Sequence, residues 1–397
     1  MQIYLDHGAT TPTRPEVIDL MVAVMRSQWG NPSSLHWWGE RSTMTIERSR
    51  LQVASLINAD PEGIIFTSGG TESDNMAIMG IARQYRTPQH MIISSVEHSA
   101  VRLPALYLEQ HGWEITRLPV NRQGLVEPND LARSLRPNTV LVSIITAQNE
   151  VGTIQPIEKL GQICRNADVL FHTDAVQAIG KMSIDVQTLP IDLLSLSAHK
   201  FYGTQGIGAL YINPLTTKKR SLIPLIQGGG QERGYRSGTQ AVAAVAGLGL
   251  AAELAEKELT SESRRLAKLR DRLYALLADI PALIPTGLMG DGRLPHHLSF
   301  YNQYIDGRHL VREMNFAGIA ISSGSACSSG AIEPSSILLE MGYSQSEARN
   351  SIRLTLGKSN NEADIEWTSL AMHQILSREK NYRPIHNFRK KFSRPRF

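Results

Sequence analysis

The chain is poor in groups that cross-link or bind metal. Its 397 residues include two cysteines, Cys164 and Cys327, far apart and without a second pair, which excludes a disulfide framework or a cysteine-built zinc site. Long apolar runs are also missing. The longest uncharged one, residues 241–252, contains two glycines and is too short to span a bilayer. The opening M-Q-I-Y-L-D has neither a basic start nor an apolar core, so nothing there marks the chain for secretion. A cytoplasmic, reducing compartment is the expectation, with no membrane partner. A general excess of positive charge is absent as well. The net charge is +4 with a pI near 9.0, but eight Lys and Arg against one acid lie after residue 377. That tail holds +7 and leaves −3 on residues 1–377, so nucleic-acid binding concerns at most the tail and is not expected.

What is present is an ordinary core-forming composition. At 42% hydrophobic and 20% charged residues, the chain is globular and long enough for about two domains. Apolar β-like runs at 63–67, 90–94, 113–119, 139–145, 169–172, 192–196 and 207–212 alternate with helix-length stretches at 71–85, 101–110, 128–135 and 156–166. That alternation predicts an α/β fold with a mostly parallel sheet wrapped by helices. From 241 to 280 the pattern is helical, with Leu259, Leu266, Leu269, Leu273 and Leu276 assigned to one face. Shorter elements follow at 297–301, 308–316, 319–322 and 362–376. The expected organisation is a segment 1–14 packing between domains, a large domain 15–255, a smaller α+β domain 256–377 with a connecting helix, and a flexible basic tail 378–397.

Thr71, His98, Asn149, Asp174 and Lys200 each follow an apolar strand-like run. In an open α/β sheet that rim carries the ligand crevice. Strands also end in polar loops without any site, but these five groups are chemically complementary. Lys200, in S-A-H-K-F-Y-G, is either a solvated loop residue or an amine able to form a Schiff base with an aldehyde. Asp174, in H-T-D-A-V-Q, ends a buried run and needs a cationic partner, either Lys200 or a protonated pyridine nitrogen. Lysine plus aspartate is the pair that pyridoxal 5'-phosphate requires. In T-S-G-G-T-E-S-D-N, Gly70 and Thr71 stand where strand turns to helix, a place that binds phosphate or simply caps the helix. Neither this nor G-G-G-Q-E-R-G-Y-R-S-G-T (228–239) ends as a nucleotide P-loop does. Cys327 sits among tiny residues in S-S-G-S-A-C-S-S-G, the composition of a mobile loop, whereas Cys164 falls on a helical period and is expected in the core. His296-His297 has no partners at metal-ligand spacing and is expected as a loop pair; Trp37-Trp38 could line a subunit interface.

Taken in order, D-H-G-A-T-T-P (6–12), G-N-P-S-S-L-H (30–36), T-S-G-G-T-E-S-D-N, E-H-S-A-V (97–101), Q-N-E-V-G (148–152), H-T-D-A-V-Q, S-A-H-K-F-Y-G, R-S-G-T (236–239) and S-S-G-S-A-C-S (322–328) resemble the cysteine desulfurases. More broadly they resemble class V aminotransferases of the aspartate-aminotransferase fold. The resemblance spans residues 3–376 and implies conversion of L-cysteine to L-alanine. It implies that Lys200 binds the cofactor aldehyde, Asp174 the ring nitrogen and Gln177 the ring oxygen, with His98 stacked on the ring. Gly70, Thr71, Ser197 and His199 would meet the phosphate, and Thr239 the phosphate of a neighbouring subunit in a homodimer. Asn149 and Arg353 would hold the substrate carboxylate, for which a planar guanidinium is suited. Cys327 would carry the sulfur as a persulfide, group I fashion, to an acceptor such as an iron–sulfur scaffold. No resident metal is implied, although Cys327 could ligate a cluster in transit.

The chain departs from the family pattern at His7-Gly8, Gln148 and Lys358. Those differences leave room for a selenocysteine lyase or an aminotransferase on the same scaffold. A binding adaptor acting through its tail is the non-enzyme alternative. The basic tail itself reads either as a solvated run or as a dock for an acidic sulfur acceptor.

Overall fold

A computed structural model describes residues 2–217, 222–324 and 333–381. After a short β1 (Ile3–Tyr4), seven strands build the main sheet: β2 (Ile64–Thr67), β3 (His90–Ser94), β4 (Glu114–Leu118), β5 (Thr139–Ser143), β6 (Leu170–Asp174), β7 (Leu193–Ser197) and β8 (Gly208–Ile212). Their order is β2-β8-β7-β6-β5-β3-β4, all parallel except β8, which runs against both neighbours. Most of these strands are buried on both faces, which is why they read as unbroken apolar runs. The pleat sorts their side chains onto two cores. Ile64, Phe66, Ile92, Leu194 and Leu196 face one, and Ile65, Met91, Ile93 and Leu193 face the other. Helices Gly70–Ala82 and Ser99–Gln110 cover the second face; Trp37–Leu56, Ile157–Asn166 and the start of Val242–Leu277 cover the first. The α/β expectation holds.

The 36-residue helix Val242–Leu277 is about 54 Å long at 1.5 Å per residue. Its first turns pack Val245, Leu248 and Ala252 into the large core. Its last turns pack Leu266, Leu269, Leu273 and Leu277 into a separate core with β10 (His297–Asn302) and β13 (Ser351–Thr355). Leu276, assigned to this face from the sequence, is exposed instead. Leu277 takes its place because eleven residues from Leu266 complete three turns at 3.6 residues each. A smaller antiparallel sheet, β12-β13-β10-β9, adds β9 (Leu283–Pro285) and β12 (Ser322–Ser323). The run expected at 319–322 is divided, since β11 (Ile319–Ala320) pairs instead with β1, Ile3 opposite Ile319. The N-terminal segment also bridges β13 of the smaller sheet, Asp6 opposite Thr355, while the Thr11 N–H reaches the His199 carbonyl beyond β7 of the main sheet at 2.9 Å.

Two helices, Pro15–Ser27 and Trp37–Leu56, had no counterpart in the sequence reading. The second buries Ser42, Ser49 and Arg50 beside Ile46 and Val53, which dilutes its apolar period. Arg50 is held there by buried Glu232 at 2.8 Å. The last helix, Glu362–Asn381, continues past the expected stop near Ser377. The first proline after the helix start is Pro384, so no proline breaks the helix earlier. The tail beyond residue 381 lies outside the described residues. Among the described residues no helix is long and apolar enough to cross a membrane.

Candidate active site

The carboxyl ends of β2, β3, β5, β6 and β7 open on one cavity of about 390 Å³. Gly70, Thr71, His98, Asn149, Asp174, Gln177, Ser197, His199, Lys200 and Arg353 all line it. The structure therefore brings together ten residues singled out from the sequence. Thr239 is exposed and does not line this cavity. It follows a Gly-rich stretch anchored elsewhere, where Glu232 accepts the Phe66 N–H and Arg236 pairs with Glu72 at 2.9 Å. Cys327 lies outside the described residues, between Gly324 and Glu333.

Asp174 ends β6 and is buried; its Oδ1 accepts the Val176 N–H at 2.9 Å. Burial raises its pKa, while the charges of His98 and Lys200 oppose the rise. His98 caps the helix Ser99–Gln110: its Nδ1 accepts the Ala100 N–H at 3.2 Å, which leaves the proton of the neutral ring on Nε2. Burial holds the ring below its ordinary pKa. Lys200 Nζ donates to the Gly8 and Ala9 carbonyls at 2.7 and 2.9 Å, and Gln177 Nε2 shares the Gly8 carbonyl at 2.9 Å. The segment D-H-G-A-T-T is thus a floor for the lysine, through backbone carbonyls that its side-chain departures do not alter. His199 Nδ1 lies 3.1 Å from Thr10 Oγ1, and burial followed by the Lys200 charge lowers its pKa to about 4.

Arg353, on β13, is 3% exposed and reaches from the smaller sheet to this rim. Its Nη2 pairs with Asp6 at 2.7 Å and its Nη1 donates to the Asn149 carbonyl at 3.0 Å. Its Nε is buried without a hydrogen-bond partner among the described residues. The expectation of a loop pair at His296-His297 holds for His296, which lies in a turn, and is corrected for His297, which opens β10; both rings are fully buried. The signal was in the strand pattern, because the pair directly precedes the apolar L-S-F. His297 Nε2 lies 3.2 Å from the Asn149 carbonyl, so this histidine supports the turn that carries Asn149. Cys164 is buried as expected, with its thiol pushed up to about 12 by desolvation.

Sequence reasoning missed three groups beneath Asp174. Asp74 lines the cavity, 1% exposed, with no hydrogen-bond partner for Oδ1 among the described residues. Buried His172 lies 3.6 Å from Asp74 Oδ1, 3.0 Å from Ser195 Oγ and 2.8 Å from Ser143 Oγ. Glu97 is buried one residue before His98. Donor atoms of Asp74, His98 and Asp174 lie within 4.8 Å of one another. Two buried carboxyls so close do not both ionise readily. Desolvation and then the charge of Asp174 raise the Asp74 pKa well above the ordinary carboxylate value. Asp74 was detectable in T-E-S-D-N: it follows Thr71 by three residues and shares its helix face.

Residues 3–367 match the family Aminotransferase class-V. The chain is 43% identical over 386 residues to the cysteine desulfurase IscS of Dictyoglomus turgidum, covering 96% of each. Among solved structures it is similar to a NifS-like protein, with TM-score 0.88 and 34% identity over 95% of this chain and 100% of that one. It is also similar to SspA in complex with cysteine, with TM-score 0.79 and 35% identity over 90% of this chain and 99% of that one.

Proposed function

Because the chain belongs to the aminotransferase class-V family, we propose that it is a cysteine desulfurase, taking sulfur from L-cysteine and releasing L-alanine. The observation that carries this reading is the convergence of Lys200, Asp174, His98 and Arg353 on one cavity. Pyridoxal 5'-phosphate is the cofactor of this family, and the donor set suits it. An amine, a buried carboxylate, an imidazole and a 13-residue helix beginning at Gly70 surround the space. When bound, pyridoxal phosphate supplies an electron-withdrawing ring conjugated to the substrate α-carbon.

The chain's own residues have separate tasks. Asp174 would hold the proton of the ring nitrogen. Backbone N–H groups at Gly70 and Thr71, with Ser197 and His199, would bind phosphate. His98 would hold the ring from its face and Gln177 would meet its oxygen. Lys200 would bind the aldehyde, and its amine would take the substrate α-proton. Arg353 exchanges Asp6 for the substrate carboxylate, beside Asn149. The Cys327 thiolate then attacks the substrate sulfur. A sulfur–sulfur bond forms, the Cβ–S bond breaks, and its electron pair ends on a carbon that is protonated to the methyl of alanine. The net change turns cysteine and an enzyme thiol into alanine and an enzyme persulfide, with no external oxidant. Cys327 passes this sulfur to an acceptor such as an iron–sulfur scaffold.

The working unit in this reading is a cytoplasmic homodimer, in which Thr239 reaches the phosphate in the opposite subunit. Exposed Trp29, Trp37 and Trp38 support such an interface. Turnover of L-cysteine, followed by alanine release and by mass spectrometry of Cys327, tests the proposal. Cys327→Ala is expected to abolish the persulfide and reduce alanine formation at least on the order of a hundredfold, as loss of a nucleophile does. Lys200→Ala is expected to remove the cofactor's visible absorbance. Full alanine release by Cys327→Ala would refute the nucleophile assignment.

A further inference from the structure

Arg353 is assigned to the substrate carboxylate, yet it already has a carboxylate partner within the chain. The guanidinium is fixed from several sides. β13 sets Arg353 opposite Ser299 of β10 and Ser322 of β12. Its Nη1 donates to the Asn149 carbonyl at 3.0 Å, the same oxygen that lies 3.2 Å from His297 Nε2. A guanidinium only 3% exposed is costly without a counter-charge, so the position demands an anion.

Asp6 supplies that anion through a single contact. Its Oδ1 accepts from Arg353 Nη2 at 2.7 Å, the one hydrogen bond its side chain makes among the described residues. Nε, on the same edge of the planar group, is buried without a hydrogen-bond partner among the described residues. Guanidinium and carboxylate commonly meet through two parallel bonds, so this pair uses half of what the edge offers. The two partners also differ in freedom. The Asp6 backbone bridges Thr355 of β13, the His7 N–H reaches the Thr355 carbonyl at 3.2 Å, and the Gly8 N–H reaches Thr355 Oγ1 at 2.7 Å. Release of the pair is therefore a rotation of the Asp6 side chain, which lines the cavity and is 19% exposed.

We propose that Asp6 is a specificity-determining residue, a tethered competitor that the substrate carboxylate displaces from Arg353 and that retakes Arg353 as alanine leaves. This rests on the reading of Arg353 as the site of the substrate carboxylate. The exchange swaps one anion for another, so the buried cation stays balanced throughout. An incoming carboxylate that engages Nη2 and Nε makes two bonds where Asp6 makes one, which favours the exchange. Alanine keeps the carboxylate of cysteine, so the competition weakens product and substrate alike and clears the site after each turnover. A ligand without a carboxylate leaves Asp6 in place.

The test measures binding rather than turnover. Calorimetric titration of the cofactor-loaded enzyme compares L-alanine with L-alaninamide, which lacks the carboxylate. Asp6→Asn keeps the side-chain shape and removes its charge. It is expected to tighten L-alanine on the order of tenfold or more, the scale of one charge-assisted hydrogen bond no longer in competition. L-alaninamide should stay within about twofold of wild type, a selectivity that a general change in packing would not produce. KM for L-cysteine should fall in parallel with the alanine dissociation constant. If Asp6→Asn does not fold, Asp6→Ser also removes the charge, and the same tightening is expected. Unchanged or weaker alanine binding in the folded variant, or tightening shared equally by L-alaninamide, would overturn the proposal. A wild-type enzyme with no affinity for L-alanine and no turnover of L-cysteine would instead overturn the functional reading beneath it.

Discussion

Glu97 shows how a single residue beside the site sets a pH limit on the whole protein. Its Oε1 accepts the Ile145 N–H at 2.8 Å and the Ser94 hydroxyl, while Oε2 is buried without a hydrogen-bond partner among the described residues. Burial raises its pKa from the ordinary 4.5 to about 8, against the opposing pull of those donors. The folded protein therefore retains a proton that the unfolded chain gives up. The stability linked to this group is fully present below pH 4.5 and is lost as pH rises toward 8. Glu97→Gln keeps the accepting oxygen and removes the titration. Unfolding free energies measured in denaturant should show the variant gaining on wild type steadily between pH 5 and pH 8. Parallel pH profiles for the two proteins would refute the neutral-acid assignment. The same desolvation governs Asp74, and it explains why these carboxyls escape a sequence reading. An acid followed by a histidine, or one turn beyond a threonine, looks like a solvated loop until the sheet closes over it.

Among the elements, the long helix Val242–Leu277 depends on close approach. A Cβ at Gly249 would come within 2.6 Å of Ser49 Cβ and 2.7 Å of its Cα, in the helix Trp37–Leu56. Two opposed effects meet at this position. Gly→Ala in an exposed helix gains about 1 kcal/mol of propensity, whereas overpacking a close contact costs about 1–3 kcal/mol. The Gln52 Oε1, at 2.5 Å, can swing aside, but the Ser49 Cα is backbone and its Cβ is fixed to it, so neither can rotate away and the steric cost outweighs the propensity. Gly249→Ala is expected to destabilise the protein by about 1–2 kcal/mol, read as a lower denaturation midpoint. A raised midpoint would contradict the contact. The elements differ in how plainly their sequences announce them. Central strands such as Ile64–Thr67 were legible because both faces are buried, and the rim residues followed from where those strands stop. Helix Trp37–Leu56 was not, because it buries Arg50 and two serines through partners far along the chain. The pairing of Asp6 with Arg353 was illegible for a similar reason, since 347 residues separate the two.

For the molecule as a whole, charge is segregated along the chain. Residues 382–397 contain six Lys and Arg and no acid, which leaves −2 on the preceding 381 residues. The helix leading to them, Glu362–Asn381, is held against the helix Gly307–Phe316, where Arg378 pairs with Glu313 and His309 lies 3.9 Å from Glu379. The point from which the basic run departs is therefore fixed. Six like charges would bring an acidic acceptor closer through long-range attraction, whose reach is about 10 Å at 0.1 M salt and about 3 Å at 1 M. Such attraction acts on encounter rather than on chemistry at a buried cavity. Removal of residues 382–397 should leave alanine release in the presence of a small thiol unchanged, since every assigned residue remains. Sulfur transfer to an acidic acceptor protein should slow at low salt, and the deficit should vanish as ionic strength rises. Equal transfer by the full and shortened chains at low salt would show the run to be a solvated appendage. A deficit that persisted at 1 M salt would point to contacts made by its aromatic residues rather than by its charge.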